Sequence, residues 1–193
     1  MELGFIATTL TIVSMHPVDQ WDSTAALLAA GTARAGHETM WARARSFISA
    51  GDHERAHLVA SVMVVDPDGL VLLARHRRYG RWGPLGGHLE SGDASLSAAG
   101  ARELLEETAL VARIHPAPID VHLSPYRCRT TTEPVLHLDV LFVASTAGAT
   151  PTLVASEELT ELGWFATHDL PEPMPPGLAE LIGLAKTAAY SHD

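Results

Sequence analysis

Three glutamates, Glu103, Glu106 and Glu107, stand within five residues of one another in the stretch RELLEE. If this stretch is helical, the i, i+3 and i, i+4 spacing brings the three carboxylates onto one face. Like charges at that spacing repel by about 0.2–0.5 kcal/mol per pair on an isolated helix, and no lysine is interleaved to offset them. A hard divalent cation would make the cluster favourable, because Mg²⁺ prefers oxygen ligands. The alternative is an acidic helix face that only meets solvent.

Two features upstream of the glutamates favour a metal that works on phosphates. Gly86 and Gly87 allow the backbone to approach a bound group more closely than residues with a Cβ can, and a backbone carbonyl turned into the site could then join the metal ligands. Further upstream, the stretch RHRRYGR carries four of the 13 lysines and arginines in the chain. Arginine pairs well with phosphate oxygens. The combination predicts a phosphate ester or phosphoanhydride held through Mg²⁺; the alternative for the arginines is a solvated hairpin tip.

Hydrophobic periodicity predicts the elements that position these residues. Two β-rich runs, 57–66 and 70–76, flank the turn signal PDG and predict a hairpin. A helix is predicted from about Ser95 to Thr108, with Asp93 or Ser95 as its N-cap. Strands mixed with a few helices predict a layered α/β domain. The remaining predicted elements are strands within 117–124, 135–145 and 161–166 and a closing helix over 177–190.

We predict that residues 1–54 form a mostly helical N-terminal extension to a domain that covers residues 55–193. Within the extension, two helices broken near Ala35–Gly36 are expected. Trp41 and Phe47 recur at helical spacing in the second of them and give it an apolar face. This face is expected to join the core; the alternatives are that it packs over the active site or against a second subunit.

The composition narrows the class of protein. Hydrophobic residues make up 47% of the 193 residues, as in globular domains, and a net charge of -10 disfavours a nucleic-acid polymer as partner. The single cysteine, Cys128, excludes an intrachain disulfide and favours a reducing compartment, so we expect a cytoplasmic protein. The apolar opening, residues 1–15, is too short to span a bilayer. It is either a strand or an over-extended start that precedes Met15 as the true initiator.

The stretch GGHLESGDASLSAAGARELLEETAL, residues 86–110, resembles the Nudix box, whose pattern is G-x5-E-x7-R-E-U-x-E-E-x-G-U with U an aliphatic residue. Gly87 takes the place of the first glycine, and RELLEE meets the charged core of the pattern in full. The resemblance covers residues 57 to about 170. It implies an α/β fold of the Nudix type, an α/β/α sandwich with a mixed sheet, here with the helical extension at its N-terminus.

Four positions depart from the box. Asp93 replaces its first glutamate, and eight rather than seven residues separate Asp93 from Arg102. Leu85 stands where proline commonly precedes the glycines, and Ala109 replaces the late glycine. Left-handed geometry at Ala109 would cost about 1 kcal/mol. In the family the first acid braces the box arginine, so we expect Asp93 to keep an ion pair with Arg102, and no departure removes a predicted metal ligand.

The resemblance implies a Nudix pyrophosphohydrolase that cleaves a phosphoanhydride bond in a nucleoside diphosphate linked to another moiety, or in a related diphosphate or nucleotide. It also implies that the three box glutamates and the Gly87 carbonyl hold Mg²⁺, with Mn²⁺ as a second candidate. A further acid outside the box often assists in this family as ligand or base. Glu158, with Glu157 next, is the candidate here, and the alternative for this pair is a solvated loop.

Residues that would contact the substrate are less visible in the sequence. The arginines of RHRRYGR are expected to meet phosphates, and Trp82 either stacks on a base or packs in the hairpin. His122 lies on one predicted strand, and His137 alternates with Asp139 on the next; each histidine either faces a pocket or is structural. The predicted substrate-binding residues are Arg77, Arg78, Arg81, Trp82, His122 and His137.

Three other functions compete with hydrolysis. A Nudix fold can serve as a sensor that binds ADP-ribose or another nucleotide without cleaving it, but such domains usually lose box glutamates that this chain keeps. An isopentenyl-diphosphate-type isomerase would need an active-site cysteine, and Cys128 has no evident partner. A purely structural protein would not need the intact acidic cluster. We therefore expect a small-molecule nucleotide or diphosphate as the partner, no membrane, and either a monomer or a homodimer.

Overall fold

The computed structural model of the protein describes residues 17–51, 56–127, 134–147 and 150–190. The first two elements are helices α1 (Pro17–Ala30) and α2 (Glu38–Ala50). The turn between them contains Gly36 at a φ of 85°, and α2 ends at Gly51, whose N–H donates to the Ile48 carbonyl. The predicted break near Ala35–Gly36 is confirmed. The strand or alternative start expected in residues 1–15 lies outside the described residues.

Eight strands among the described residues form one mixed sheet. The strands are β1 (Ala56–Val65), β2 (Val71–His76), β3 (Trp82–Gly83), β4 (Leu85–His88), β5 (Arg113–Ile114), β6 (Asp120–Tyr126), β7 (Val135–Ser145) and β8 (Leu159–Phe165). The long strand β1 pairs in parallel with β7 and antiparallel with β2 and β4. Strands β5 and β6 also pair antiparallel with β7, and strands β3 and β8 pair antiparallel with β2.

The hairpin β1–β2 follows from its sequence. Strand β1 is an almost unbroken run of apolar residues, as expected for a strand buried on both faces. The turn closes through Asp66, whose backbone N–H donates to the Leu70 carbonyl and whose carboxylate accepts the Leu70 N–H at 2.7 Å. Gly69 supplies the positive φ of 79° that the turn requires. The predicted hairpin is confirmed.

Helix α3 (Leu96–Thr108) packs closely on one face of the sheet. A Cβ at Gly100 would lie 2.7 Å from Val62 Cγ2, so glycine is needed at this crossing. The Ser95 side chain accepts the Ala98 N–H, so Ser95 rather than Asp93 is the N-cap. Ala109 ends the helix in the left-handed conformation at a φ of 57°.

Helices cover both faces of the sheet. Helices α1 and α2 share a core cluster with β1, β6, β7 and the start of α3, in which Leu28, Trp41 and Phe142 are buried and Phe47 is partly buried. On the opposite face, α4 (Leu178–Tyr190) packs through Ile182 and its neighbours against Met63 and Val65, near the end of β1. The fold is therefore the predicted α/β/α sandwich with a mixed sheet. Since Trp41 lies in this shared core, its predicted core position is confirmed; the division at residue 54 stays a prediction.

None of the helices in the described ranges is long and apolar enough to cross a membrane.

Candidate active site

Strand β4 and helix α3 bring the glycines and the glutamates together. The Gly86 N–H donates to Glu107 Oε2 at 3.0 Å. At Gly86 the φ is 145°, and a Cβ would lie 2.2 Å from the carbonyl oxygen of Ala60, so the position accepts only glycine. The pairing of β4 with β1 thus positions the Gly86 N–H that donates to Glu107, near the end of α3.

Gly87 holds the second glutamate. A Cβ at Gly87 would lie 2.3 Å from Glu103 Oε1, so this carboxylate lies directly against the glycine backbone. The three glutamates differ in exposure: Glu107 is buried, Glu103 is half-buried and Glu106 is exposed. The three carboxylates offer oxygen atoms, of which those of Glu106 are exposed, and oxygen ligands suit a hard cation such as Mg²⁺.

The electrostatics of this cluster also fit a cation. Burial raises the pKa of Glu107 to about 8, against the lowering effect of the Gly86 N–H, and the charges of Glu103, Glu158 and Glu106 raise it further. Burial likewise raises the pKa of Glu103, although Arg102 opposes the shift. Burial and the neighbouring negative charges disfavour ionisation of these carboxyl groups, and a divalent cation among them would favour the ionised form. The donor set therefore fits the metal that the fold family implies.

Arg102 clamps the loop before α3 to the acidic face. Its Nε and Nη2 donate to the two carboxylate oxygens of Asp93 at 3.1 and 3.0 Å, and Nη2 also donates to the His88 carbonyl at 2.9 Å. Nη1 reaches Glu103 at 2.9 Å and Glu106 at 3.1 Å. The hydrogen bond to Asp93 raises the pKa of the guanidinium. Asp93 thus forms the expected ion pair with Arg102, although it is shorter than glutamate and one extra residue separates the two.

The loop before β8 carries Glu158 to the cluster. Its charge raises the pKa of both Glu103 and Glu107, so it lies close enough for the three acids to interact. Arg77 fastens this loop: its backbone N–H donates to the Glu158 carbonyl at 2.9 Å, and its Nε donates to the Glu157 carbonyl at 3.0 Å. Arg77 therefore orients the acid-bearing loop.

The NUDIX domain family matches residues 55–184 of the chain. The chain belongs to the Nudix family. Residues 86–110, which resemble the Nudix box, lie within this match, and α3 is therefore termed the Nudix helix. No curated protein matches the chain.

Solved Nudix structures share the fold at low sequence identity. A NUDIX-family hydrolase from Clostridium perfringens is 22% identical, with a TM-score of 0.57, over 69% of this chain and 97% of that chain. The NUDIX domain of NrtR from Shewanella oneidensis, solved with ADP ribose, is 21% identical, with a TM-score of 0.52, over 68% and 87%. A MutT/nudix family protein from Enterococcus faecalis is 15% identical, with a TM-score of 0.55, over 83% and 76%.

The residues predicted to bind substrate differ in burial and in their partners. Trp82 is only 6% exposed and meets Phe165 edge-on at 5.0 Å between ring centroids, so it packs in the core. The exposed Arg78 lies over the Tyr79 ring at 6.0 Å, and Arg81 is also exposed. All three predicted arginines are exposed, but Arg77 differs from the other two in that it donates hydrogen bonds to the Glu157–Glu158 loop.

The predicted strand histidines have different environments. His122 is exposed and stands opposite Asp139 in the β6–β7 register. Burial raises the pKa of Asp139 to about 6; one of its oxygens accepts from Ser61 Oγ at 3.0 Å, and the other has no hydrogen-bond partner among the described residues. His137 is fully buried, and burial lowers its pKa to about 4.

Two histidines beside His137 were not predicted as site residues. His57 and His88 lie on neighbouring strands and approach His137 to within 3.3 Å. Their separation along the sequence hides this cluster, because only the parallel pairing of β1 with β7 places His57 beside His137. His76 was also missed, and its Nδ1 lies 3.8 Å from Glu107 Oε1.

Proposed function

We propose that this Nudix protein is a Mg²⁺-dependent pyrophosphohydrolase. Its substrate would be a nucleoside diphosphate linked to another moiety, or a related diphosphate or nucleotide. The observation that carries the proposal is the packing of Glu103 and Glu107 against the backbone of Gly87 and Gly86, which gathers oxygen donors at one place. The family match and the hydrolases among the structural neighbours support the same class of reaction.

Some residues of the box would bind the cation, and others would position these ligands. Glu103, Glu106, Glu107 and the Gly87 carbonyl are the proposed ligands for Mg²⁺, with Mn²⁺ as the alternative cation. When bound, the cation supplies Lewis-acid polarisation of the diphosphate and lowers the pKa of coordinated water. Arg102 is a positioning residue, because its Nη1 donates to both Glu103 and Glu106 and so fixes their carboxylates.

Glu158 is the proposed base or additional ligand. Water adds to phosphorus, the bond from phosphorus to the bridging oxygen breaks, and the proton of the water must pass to an acceptor. Glu158 is close enough to affect the pKa of Glu103 and Glu107, yet it lies on a separate loop. A carboxylate beside the acidic cluster can serve as this acceptor.

Substrate phosphates are proposed to meet Arg78 and Arg81. Both are exposed and lie in the β2–β3 connection, and arginine is suited to phosphate oxygens. His122, exposed on β6, stays a proposed contact for the rest of the substrate. Trp82 and Arg77 are not part of this proposal, since one is buried in the core and the other fastens the Glu158 loop.

A nucleotide sensor is the second candidate function. One structural neighbour is a NUDIX domain complexed with ADP ribose, and a sensor of that kind would bind a nucleotide without turnover. The retention of all three box glutamates and of their clamp favours hydrolysis in this chain. The two functions differ in whether product accumulates.

The deciding experiment measures Mg²⁺-dependent product formation across a panel of diphosphates. The panel comprises nucleoside diphosphate sugars, ADP-ribose, NADH, dinucleoside polyphosphates and nucleoside triphosphates. We expect wild type to cleave one class, and Glu106→Gln to be slower by about 100-fold or more, since even residues that only support a metal ligand contribute 10–100-fold. Glu180→Gln, on the exposed start of α4, is the matched control and should leave the rate unchanged. Tight nucleotide binding without any cleavage would favour the sensor.

A further inference from the structure

Three histidines converge on the face of the sheet opposite the Nudix helix. Ala60 and Val62 of β1 point toward Gly100 of α3, so the alternating odd-numbered residues, His57 among them, point to the other face. The parallel register places His137 of β7 directly beside His57. His88 of β4 stands opposite Val59, on the same face. Three strands therefore contribute one imidazole each.

The distances between the imidazole nitrogens match a metal site. His57 Nδ1 lies 3.3 Å and His88 Nε2 lies 3.2 Å from His137 Nε2. All three candidate ligand atoms lie within 4.8 Å of one another. Ligands at the usual Zn–N distance of 2.0–2.1 Å in a tetrahedral site stand about 3.3 Å apart. Two of the three spacings already have this value.

The central histidine is oriented as metal-binding histidines are. His137 Nδ1 lies 2.9 Å from the Val135 carbonyl. A carbonyl only accepts, so Nδ1 carries the proton, and in the neutral ring Nε2 then offers a lone pair toward His57 and His88. A backbone carbonyl that fixes the ring in this way is the usual outer partner of a metal-bound imidazole.

The burial of the three rings suits a metal site that a cation can enter from solvent. His137 is fully buried and held in place, whereas His57 and His88 are half-buried and leave an open side. The close spacing would also suit a hydrogen-bonded imidazole cluster. In a hydrogen-bonded cluster, the single lone pair of His137 Nε2 accepts well from only one N–H donor. A cation at the centre would instead be bound by one lone pair from each of the three imidazoles.

We propose that His57, His88 and His137 form a second metal site, for a borderline divalent cation such as Zn²⁺. Three imidazole nitrogens favour Zn²⁺, Cu²⁺, Ni²⁺ or Co²⁺ over Mg²⁺, which prefers oxygen. The donor chemistry therefore separates this site from the carboxylate cluster of the Nudix box.

Such a cation would join three strands and stabilise the strand that organises the active site. His88 directly follows Gly87, and its carbonyl accepts from Arg102. Strand β4 has only four residues, Leu85–His88. A metal bond from its last residue to β1 and β7 would therefore hold the Gly86 and Gly87 backbone in register. The proposed role is structural support of β4, independent of which diphosphate the enzyme cleaves.

The test is Zn²⁺ binding by the untagged full-length protein, stripped with chelator and titrated calorimetrically in the presence of excess Mg²⁺. We expect one Zn²⁺ per chain and a rise in Tm on loading. His57→Gln and His88→Gln should each weaken Zn²⁺ binding by about 100-fold or more, because each removes one of three ligands. His168→Gln, at an exposed turn, is the matched control and should bind as wild type does.

Three results would overturn the proposal. These are an absence of Zn²⁺ binding by folded wild type, unchanged binding by both half-buried histidine variants, and loss of the Zn²⁺ in Glu106→Gln. The last result would place the cation in the carboxylate cluster. Circular dichroism of each metal-free variant establishes that it is folded before titration. Two separate variants are used so that misfolding of one leaves the other to decide.

Discussion

The N–H of Gly86 donates a hydrogen bond to Glu107 across 21 residues of sequence, at 3.0 Å. This contact joins the end of the Nudix helix to a four-residue strand, β4, whose place in the sheet depends on β1. Burial raises the pKa of this carboxyl, and the Gly86 N–H opposes that shift. The geometry of the acidic cluster is therefore determined by the sheet as well as by the helix.

Gly86→Ala tests this dependence. A Cβ would meet the Ala60 carbonyl at 2.2 Å, and the φ of 145° is unfavourable for alanine. We expect the free energy of unfolding to fall by about 1–3 kcal/mol and hydrolysis to fall with it. Gly183→Ala in α4 is the control, since a Cβ there meets nothing within 4 Å. Urea denaturation measures both, and equal stability of the two variants would contradict the tight fit.

Arg102→Lys tests the clamp on the acidic face. Lysine cannot reproduce the two parallel bonds to Asp93 together with those to Glu103 and Glu106. We expect stability to fall by about 1.5–3 kcal/mol, the range for hydrogen bonds to charged groups, and Mg²⁺ affinity to fall about 10–100-fold. Arg113→Lys, at an exposed site on β5, should change neither. Wild-type Mg²⁺ affinity in Arg102→Lys would remove the positioning role.

Glu158→Gln tests the proposed base. If Glu158 accepts the proton, kcat should fall by about 10²–10⁴-fold while KM changes little. Glu157→Gln is a closely matched control, because the neighbouring acid is exposed on the same loop. Steady-state kinetics on the identified substrate separates the two parameters. A wild-type rate for Glu158→Gln would exclude Glu158 from the mechanism, and a slow Glu157→Gln beside a normal Glu158→Gln would assign the role to Glu157.

The metal-free protein should lose stability as the pH rises. Burial raises the pKa of Glu107 to about 8 in the folded state, above an ordinary value of about 4.3 in the unfolded chain. The folded state therefore binds the extra proton, and its stabilising contribution, complete below the unfolded pKa, is lost as the pH passes through about 8. The charges of Glu103, Glu158 and Glu106 act on this carboxyl, and His76 Nδ1 lies 3.8 Å from its Oε1.

Denaturation in EDTA at several pH values between 5 and 9 measures this effect. Glu107→Gln should flatten the decline, because it cannot ionise. Added Mg²⁺ should also reduce the decline, since a cation favours the charged carboxylate. Asp139, whose pKa burial raises to about 6, contributes at the lower end, so Asp139→Asn serves as the comparison. A decline identical in wild type and Glu107→Gln would assign the pH dependence to other groups.

The sequence by itself determined the features that depend on short spacing. The helix periodicity predicted α3 almost to its ends, because Ser95 is a strong N-cap and the left-handed position falls at Ala109. The same periodicity placed three carboxylates on one face. The ion pair of Asp93 with Arg102 was implied by the resemblance to the Nudix box, in which the first acid braces the box arginine.

Only the tertiary structure decided the features that depend on pairing between distant strands. The local sequence does not predict strand β4, because two glycines in four residues carry little β propensity; its pairing with β1 creates the strand. The sequence allows Trp82 either to stack on a base or to pack in the hairpin, and its edge-on contact with Phe165 decides for packing. The histidine cluster needs His57 and His137 in parallel register, 80 residues apart. Local sequence encodes periodicity and caps, whereas such contacts depend on how whole strands align, which no short window of residues specifies.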